Sequence, residues 1–424
     1  MNSIKHCCLS VMAAISVMGC LGFAQTPDST YQVLYSFGAF SQDGTEPGGP
    51  VAIGAGGVLY GTTTHGGLYP GWGTVFALNP PISPGGPWTE TQLFLFTGGW
   101  DGLLPFDVVL GEDGTVYCLA AGAAGGTPPA TAISLTPNGN SWEEDTLYLY
   151  GLQEQPTSLY VKAGGLYGTT LLGGDSPNCK AFYGCGSIYT LTPAQGGTWN
   201  RKTLFSFPDG NYFNGPLNLL VGHDGKLYGS AQGLVPVCVG GCGSVFAITP
   251  PVGGGDWTGT AIHDFTNSSG DGTGGGALLL GKDGLLYGTT TYGGKQSSGI
   301  VFSLTPPDTP GGFWKETILY TFGGLLINGI GGVNPNRSLV MDKNGVLYGT
   351  TLAGGLGGGG IVFSLRPPRK PGGQWTERTL HLFTSAPDGL FPAAGLTMGA
   401  DGTLYGTTYG GGAYGQGTVF ALKP

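Results

Sequence analysis

Beyond residue 30 the chain is a succession of short apolar runs separated by glycine, proline, asparagine and aspartate. The stretch from Pro50 to Phe96 shows the phrase in full. Val51-Ala52-Ile53 is one run, Val58–Thr63 a second, Thr74–Leu78 a third and Trp88–Phe96 a fourth. Each is bounded by turn residues and enriched in aromatic or β-branched side chains, so each reads as a β-strand. Pro80-Pro81 ends the third run, because proline cannot donate to a ladder. An Asp-Gly or Asn-Gly pair between the first two runs (Asp113, Asp224, Asp283, Asn344 and Asp401, each followed by glycine) is a hairpin signal. Apolar residues fall on both faces of the strands, as expected for sheets packed between two neighbours.

The phrase recurs. Tyr60, Tyr117, Tyr167, Tyr228, Tyr287, Tyr348 and Tyr405 mark its copies, at spacings of 57, 50, 61, 59, 61 and 57 residues. Seven four-stranded units of this length predict an all-β, seven-bladed β-propeller. Trp88, Trp142, Trp199, Trp257, Trp314 and Trp375 open six fourth strands, and the seventh unit stops after its third at Val419–Leu422. The missing strand stands at the other end, as Tyr31–Phe37. It is expected to complete the last blade and so remove an exposed sheet edge. The predicted organisation is a leader at 1–24 and one propeller domain at 25–424. Its blades are set at 48–98, 103–150, 154–207, 214–266, 274–322, 333–383 and 390–424 plus 31–37. The glycine after each tyrosine is expected where a neighbouring blade comes too close for a Cβ. Blade two departs from the phrase, with Cys118 at that position and a degenerate loop over 121–131.

Composition refines this picture. Glycine (86) and proline (30) are abundant enough in 424 residues to suggest disorder, but their fixed places in the repeat make them turns and close-packing points. Lys5 and His6 precede an apolar stretch from Cys7 to Phe23, and Gly22-Phe23-Ala24 suits a signal-peptidase site. Val17-Met18-Gly19-Cys20 also has the outline of a lipobox, making Cys20 a candidate for lipidation. Export to the periplasm, cell surface or exterior is therefore expected. No later run is long enough to cross a membrane. The net charge of −9 disfavours nucleic acid and anionic membranes as partners.

The consensus LYGTT-x-x-GG-(x)-G-x-VF-x-L-x-P resembles the GLoVer tandem repeat of "choice-of-anchor" exported bacterial proteins. Leu59–Pro80, Leu286–Pro306, Leu347–Pro367 and Leu404–Pro424 carry it most clearly. The resemblance extends over 31–424. It implies an exported or surface repeat protein and transfers no catalytic residue.

Candidate chemistry lies where the copies differ. The second-to-third loops and the connections between blades are expected on one face, with His65, Tyr69, Trp72, Trp100, Tyr183, Tyr212, Tyr292, Tyr409 and Tyr414. Aromatic side chains on such loops suit a sugar or a partner's apolar patch, though they also suit blade caps. Asp43, Asp101, Asp209, Asp271 and Asp388 each precede glycine in a connection. They fit turns, with a Ca²⁺ circle or paired carboxylates as competing readings. The histidines are read as scattered over different repeat positions, with His263 and His381 structural, so no metal site is expected. No motif calls for a cofactor or supplies a catalytic residue. Cys179 with Cys185, and Cys238 with Cys242, sit in the same loop of adjacent blades and read as disulfides in an exported protein, with a four-cysteine zinc site as the competing reading. The functional expectation is a monomeric binding scaffold for an unknown protein or glycan. The alternative is a polysaccharide-active lyase or hydrolase with acidic residues in the central funnel.

Overall fold

The computed structural model describes residues 29–424 except 69–70, 124–125, 140, 163–164, 178, 180–183, 209–214, 233–242, 267–269, 310–311, 313, 324–330, 336, 371 and 385. The leader and Cys20 therefore lie outside the described residues. Seven antiparallel sheets follow one another around a ring, which makes the protein a seven-bladed β-propeller. The first blade runs Ala52–Ile53, Leu59–Thr63, Thr74–Asn79 and Thr89–Leu95 from the axis outward. The last is completed by Thr30–Ser36, which pairs with Thr418–Lys423 in a register running from Thr30 opposite Lys423 to Ser36 opposite Thr418. Closure by the N-terminal strand is thus as expected.

Each word of the repeat has a separate physical job. The leucine is core: Leu59, Leu286, Leu347 and Leu404 are fully buried. The tyrosine reaches the tryptophan of the next blade, edge to face. Ring centroids are 6.0 Å apart for Tyr60–Trp142 and for Tyr117–Trp199, and 5.9 Å for Tyr228–Trp314. Its hydroxyl donates back to the hairpin aspartate, at 2.7 Å for Tyr287 to Asp283. The first threonine binds the next blade, since Thr289, Thr350 and Thr407 donate to the carbonyls of Arg337, Ala394 and Gly49. The second stays local, with Thr63, Thr351 and Thr408 donating to carbonyls two residues on.

The glycine differs from expectation. A Cβ on Gly61 would lie 2.5 Å from the ring of Phe76, its cross-strand partner in the same blade; Gly406 and Phe420 repeat the relation. The space is taken by the blade's own phenylalanine and not by a neighbouring blade. Blade two shows why this matters. Cys118 replaces the glycine there, and the residue opposite it is Ile133 instead of phenylalanine, both fully buried. Added and removed volume balance, so the blade keeps its four strands, Leu103–Leu110, Val116–Ala121, Thr131–Asn138 and Ser141–Leu149.

A second set of aromatic contacts joins the blades. At five seams the phenylalanine after the outer strand meets the third-strand phenylalanine of the next blade, at 5.1 Å for Phe37–Phe76 and Phe322–Phe363 and 5.2 Å for Phe207–Phe246, and at a sixth Tyr150 meets Tyr189 at 5.9 Å. Among the described residues, eleven of the twelve largest fully buried side chains are phenylalanine. The core is therefore a set of inter-blade seams.

Candidate functional site

Three regions gather polar or exposed side chains, and the fold positions each in a different way. The first is the loop face. Connections between blades pair as short strands with the second-to-third loops: Gly44–Thr45 with His65–Gly66, Gly332–Val333 with Ala353–Gly354, and Gly389–Leu390 with Gly410–Gly411. Both loop families thus share one face. The connection aspartates hold the turns. The carboxylate of Asp101 accepts N–H groups of Thr97 (2.7 Å) and Gly99 (2.9 Å), and that of Asp43 accepts those of Gly38 and Ala39 at 2.7 and 2.9 Å. This is turn capping through acceptor geometry. Asp209 lies outside the described residues.

The aromatic candidates on this face separate into groups. His65 Nδ1 lies 2.7 Å from Glu46 Oε2, and the Tyr409 hydroxyl donates to the same carboxylate, which pushes the phenol up to about 12. These two residues meet across the ring closure. Tyr414, in the same loop as Tyr409, has its Cβ over Gly38. Trp72 is a blade cap: its ring lies over Gly98, and its carbonyl accepts the N–H of Leu104 at 2.9 Å. Trp100 is 71% exposed and Tyr292 40% exposed, each in a different connection or loop. Tyr69, Tyr183 and Tyr212 lie outside the described residues, as do Cys238 and Cys242. Cys179 and Cys185 form a disulfide with Cα atoms 5.8 Å apart, and Cys118 is free and buried.

The second region is the axis. Residues from all seven blades, among them Pro50, Thr157, Asn218, Gly276 and Gly395, enclose a cavity of about 400 Å³. Asp107 and Arg337 are the charged side chains in its wall. Asp107 Oδ2 accepts the N–H of Leu159 at 3.0 Å, and burial raises its pKa to about 6. Arg337 Nε donates to the carbonyl of Ala393; the guanidinium is enclosed by protein yet open to the solvent of the cavity, and desolvation lowers its pKa against the opposing pull of Asp107. One carboxylate facing one guanidinium does not supply the two acids of glycoside hydrolysis. Neither residue was singled out from sequence. Asp107 was detectable as a charge interrupting the apolar run Leu103–Leu110.

The third region is the outer seams, where one pattern recurs. A side chain near the end of one outer strand faces the second residue after the tryptophan of the next, with the connection beside both. Strand register puts Tyr35, Phe94, Tyr148, Phe205, His263, Tyr320 and His381 in the first position. The same registers put Glu90, Glu144, Arg201, Gly259, Glu316, Glu377 and Tyr31 in the second. His263 and His381 therefore share one repeat position, which corrects the reading of scattered histidines. Counting back two residues from Phe265 and Phe383 reveals it.

Most seams are internally paired. His381 Nε2 lies 3.1 Å from Asp388 Oδ2, and Tyr31 stacks on the imidazole at 3.6 Å. Arg201 and Glu154 are joined at 2.8 Å, with the guanidinium over Tyr189. Tyr35 donates to Asp43 at 3.2 Å. At the seam between blades four and five, His263, Asp271 and Glu316 converge, and their nearest approaches are 3.8 and 4.0 Å. Burial lowers the His263 pKa; burial and Asp271 lift that of Glu316 to about 7.

Comparisons with known proteins agree with the architecture. The chain resembles hydrazine synthase of Kuenenia stuttgartiensis at 13% identity and a TM-score of 0.54, over 88% of this chain and 96% of that one. It also resembles the extracellular domain of a hybrid two-component system of B. thetaiotaomicron at 11% identity and a TM-score of 0.51, over 93% of this chain and 43% of that one. At such identity the likeness speaks for the fold alone. No curated protein matches the chain. Residues 315–424, spanning blade six, blade seven and the strand before them, match the family described as the Gloeobacter/Verrucomicrobia repeat.

Proposed function

We propose that the protein is an exported binding scaffold that takes a partner on its loop face by apolar and aromatic contact. The observation that carries this reading is the distribution of exposed large apolar side chains. Among the described residues, nine of fourteen lie in the connections or second-to-third loops, Phe40, Leu68, Trp100, Leu356, Phe391 and Tyr414 among them. Exposed apolar groups gathered on one side of a monomer mark interaction surfaces. The leader at 1–24 and the Cys179–Cys185 disulfide favour export, since such bonds persist in oxidising compartments. Cys20 then decides between a lipid tether and free release, and the scaffold acts as a monomer without a cofactor.

The test is a glycan array and a pull-down from cell-envelope extract, both with the mature protein and a Trp100→Ala/Phe391→Ala variant. Binding that the variant loses, and that an Ile82→Ala/Val252→Ala variant of the opposite hairpins retains, is the expected result. Equal binding by all three removes the loop face from the reading.

A second reading, a polysaccharide-active enzyme, draws on Asp107 and Arg337 at the axis. It favours a lyase acting on an acidic sugar, with the guanidinium facing the sugar carboxylate and Asp107 as base. A reducing-end assay on uronate polymers, compared with Asp107→Asn, distinguishes it: no activity in either protein leaves the scaffold reading alone.

A further inference from the structure

The seam between blades four and five carries an arrangement that no other seam shows among the described residues. His263 comes from the outer strand of blade four, Glu316 from that of blade five, and Asp271 from the connection between them. Among the described residues this is the one group of three potential metal ligands, one atom from each lying within 4.8 Å of the others. His263 Nε2 and Glu316 Oε1 are buried, and neither has a hydrogen-bond partner. Leaving such atoms unmatched forfeits their hydration without replacing it. A hydrogen bond between them would close the distance, but it stays at 3.8 Å.

We infer that His263, Asp271 and Glu316 form a binding site for a divalent transition-metal ion, with zinc as the fitting occupant. An imidazole nitrogen with two carboxylates suits zinc and its first-row neighbours better than Ca²⁺, which takes six to eight oxygens. Zinc ligands at about 2.0–2.2 Å in a tetrahedron stand roughly 3.4 Å from one another. The separations from His263 are 3.8 and 4.0 Å and all three ligand atoms lie within 4.8 Å of one another, so coordination needs an inward movement of the side chains. Supporting contacts are already in place. The N–H and hydroxyl of Thr266 hold Asp271 Oδ2 at 2.8 and 3.1 Å, and the edge of Phe265 meets the imidazole at 4.8 Å. Such outer contacts orient ligands for metal. The side chains are 14–18% exposed, which leaves a coordination position open to water. The ion would clamp blade four to blade five at the place where the other seams use a stacked tyrosine or a salt bridge.

The test measures uptake of Co²⁺ and Zn²⁺ alone by the metal-free mature protein, with equilibrium dialysis for stoichiometry and the visible Co²⁺ bands for geometry. Wild type is expected to bind one equivalent more than Glu316→Gln or His263→Ala. Affinity at this site should fall by at least about a hundredfold in either variant, beyond the tenfold to hundredfold typical of losing an outer contact. His381→Ala, the matching histidine at another seam, should bind as wild type does. Glu316→Gln guards against misfolding, because it removes a buried charge and keeps the shape. No uptake by folded wild type, or equal uptake and identical Co²⁺ bands in wild type and Glu316→Gln, overturns the site.

Discussion

Tyr405 of the last blade meets Trp88 of the first edge to face, with ring centroids 6.4 Å apart. The same pair joins four internal seams, for example Tyr287 with Trp375, also at 6.4 Å. The closing seam is therefore built like the others, although the strand that makes it possible comes from the far end of the chain. Phe37, just past that strand, is fully buried against Phe76, and its N–H donates to the carbonyl of Gly417 at 3.0 Å. Phe37→Ala should cost about 3–5 kcal/mol, the usual range for a buried phenylalanine. Phe322→Ala, its counterpart at an internal seam, should cost a similar amount. Urea denaturation of both reads this directly. A loss below about 1 kcal/mol for Phe37 alone would mean the ring does not depend on its closure.

The glycine–phenylalanine pair gives a sharper test of packing within a blade. Gly61→Ala puts a methyl group against Phe76 and should destabilise by about 1–3 kcal/mol through overpacking. Blade two shows the compensated form, with Cys118 opposite Ile133. Gly61→Ala/Phe76→Ile should therefore recover part of the loss, a coupling that a double-mutant cycle measures. Additive effects would show that the two positions do not share space.

The repeat made the architecture readable because a feature present seven times survives the noise of any single copy. Blade number, strand order and the split last blade all follow from comparing copies. What periodicity hides is which residues of different units face each other. Tyr60 and Trp142 are 82 positions apart, and neither spacing nor propensity joins them. Features present once were missed for the same reason. Asp107 and Arg337 come from opposite parts of the ring and meet only at the axis. The meeting of His263 with Glu316 depends on a β-bulge in the outer strand, where the register shifts between Val245 and Phe246. That bulge sets which side chain turns toward the next blade.

The Cys179–Cys185 bond closes a short loop on the face that carries the proposed interaction surface. A Cys179→Ser/Cys185→Ser variant should lose about 2 kcal/mol, as expected for a loop of this length. Alkylation of the native protein under non-reducing conditions should leave Cys118 unmodified, because it is fully buried. Reaction at Cys179 or Cys185 before reduction would show the bond absent, and peptide mass spectrometry distinguishes the sites.

The closing seam also predicts a pH dependence. Glu90 faces Asp43 and Tyr35 there, its Oε1 has no hydrogen-bond partner, and burial together with Asp43 raises its pKa to about 7. The folded state thus holds the Glu90 proton more tightly than the unfolded chain, whose carboxyl keeps the ordinary value of 4.5. Stability from this group is fully present below about pH 4.5 and declines as pH rises through about 7. Glu90→Gln removes the titration while keeping the shape. The variant should match wild type near pH 4.5 and exceed it at pH 8, with the gap opening between those values. Denaturation midpoints at pH 4.5, 6 and 8 check this. A constant gap would assign the effect to packing, and a gap that shrinks as pH rises would give the folded Glu90 the opposite charge preference.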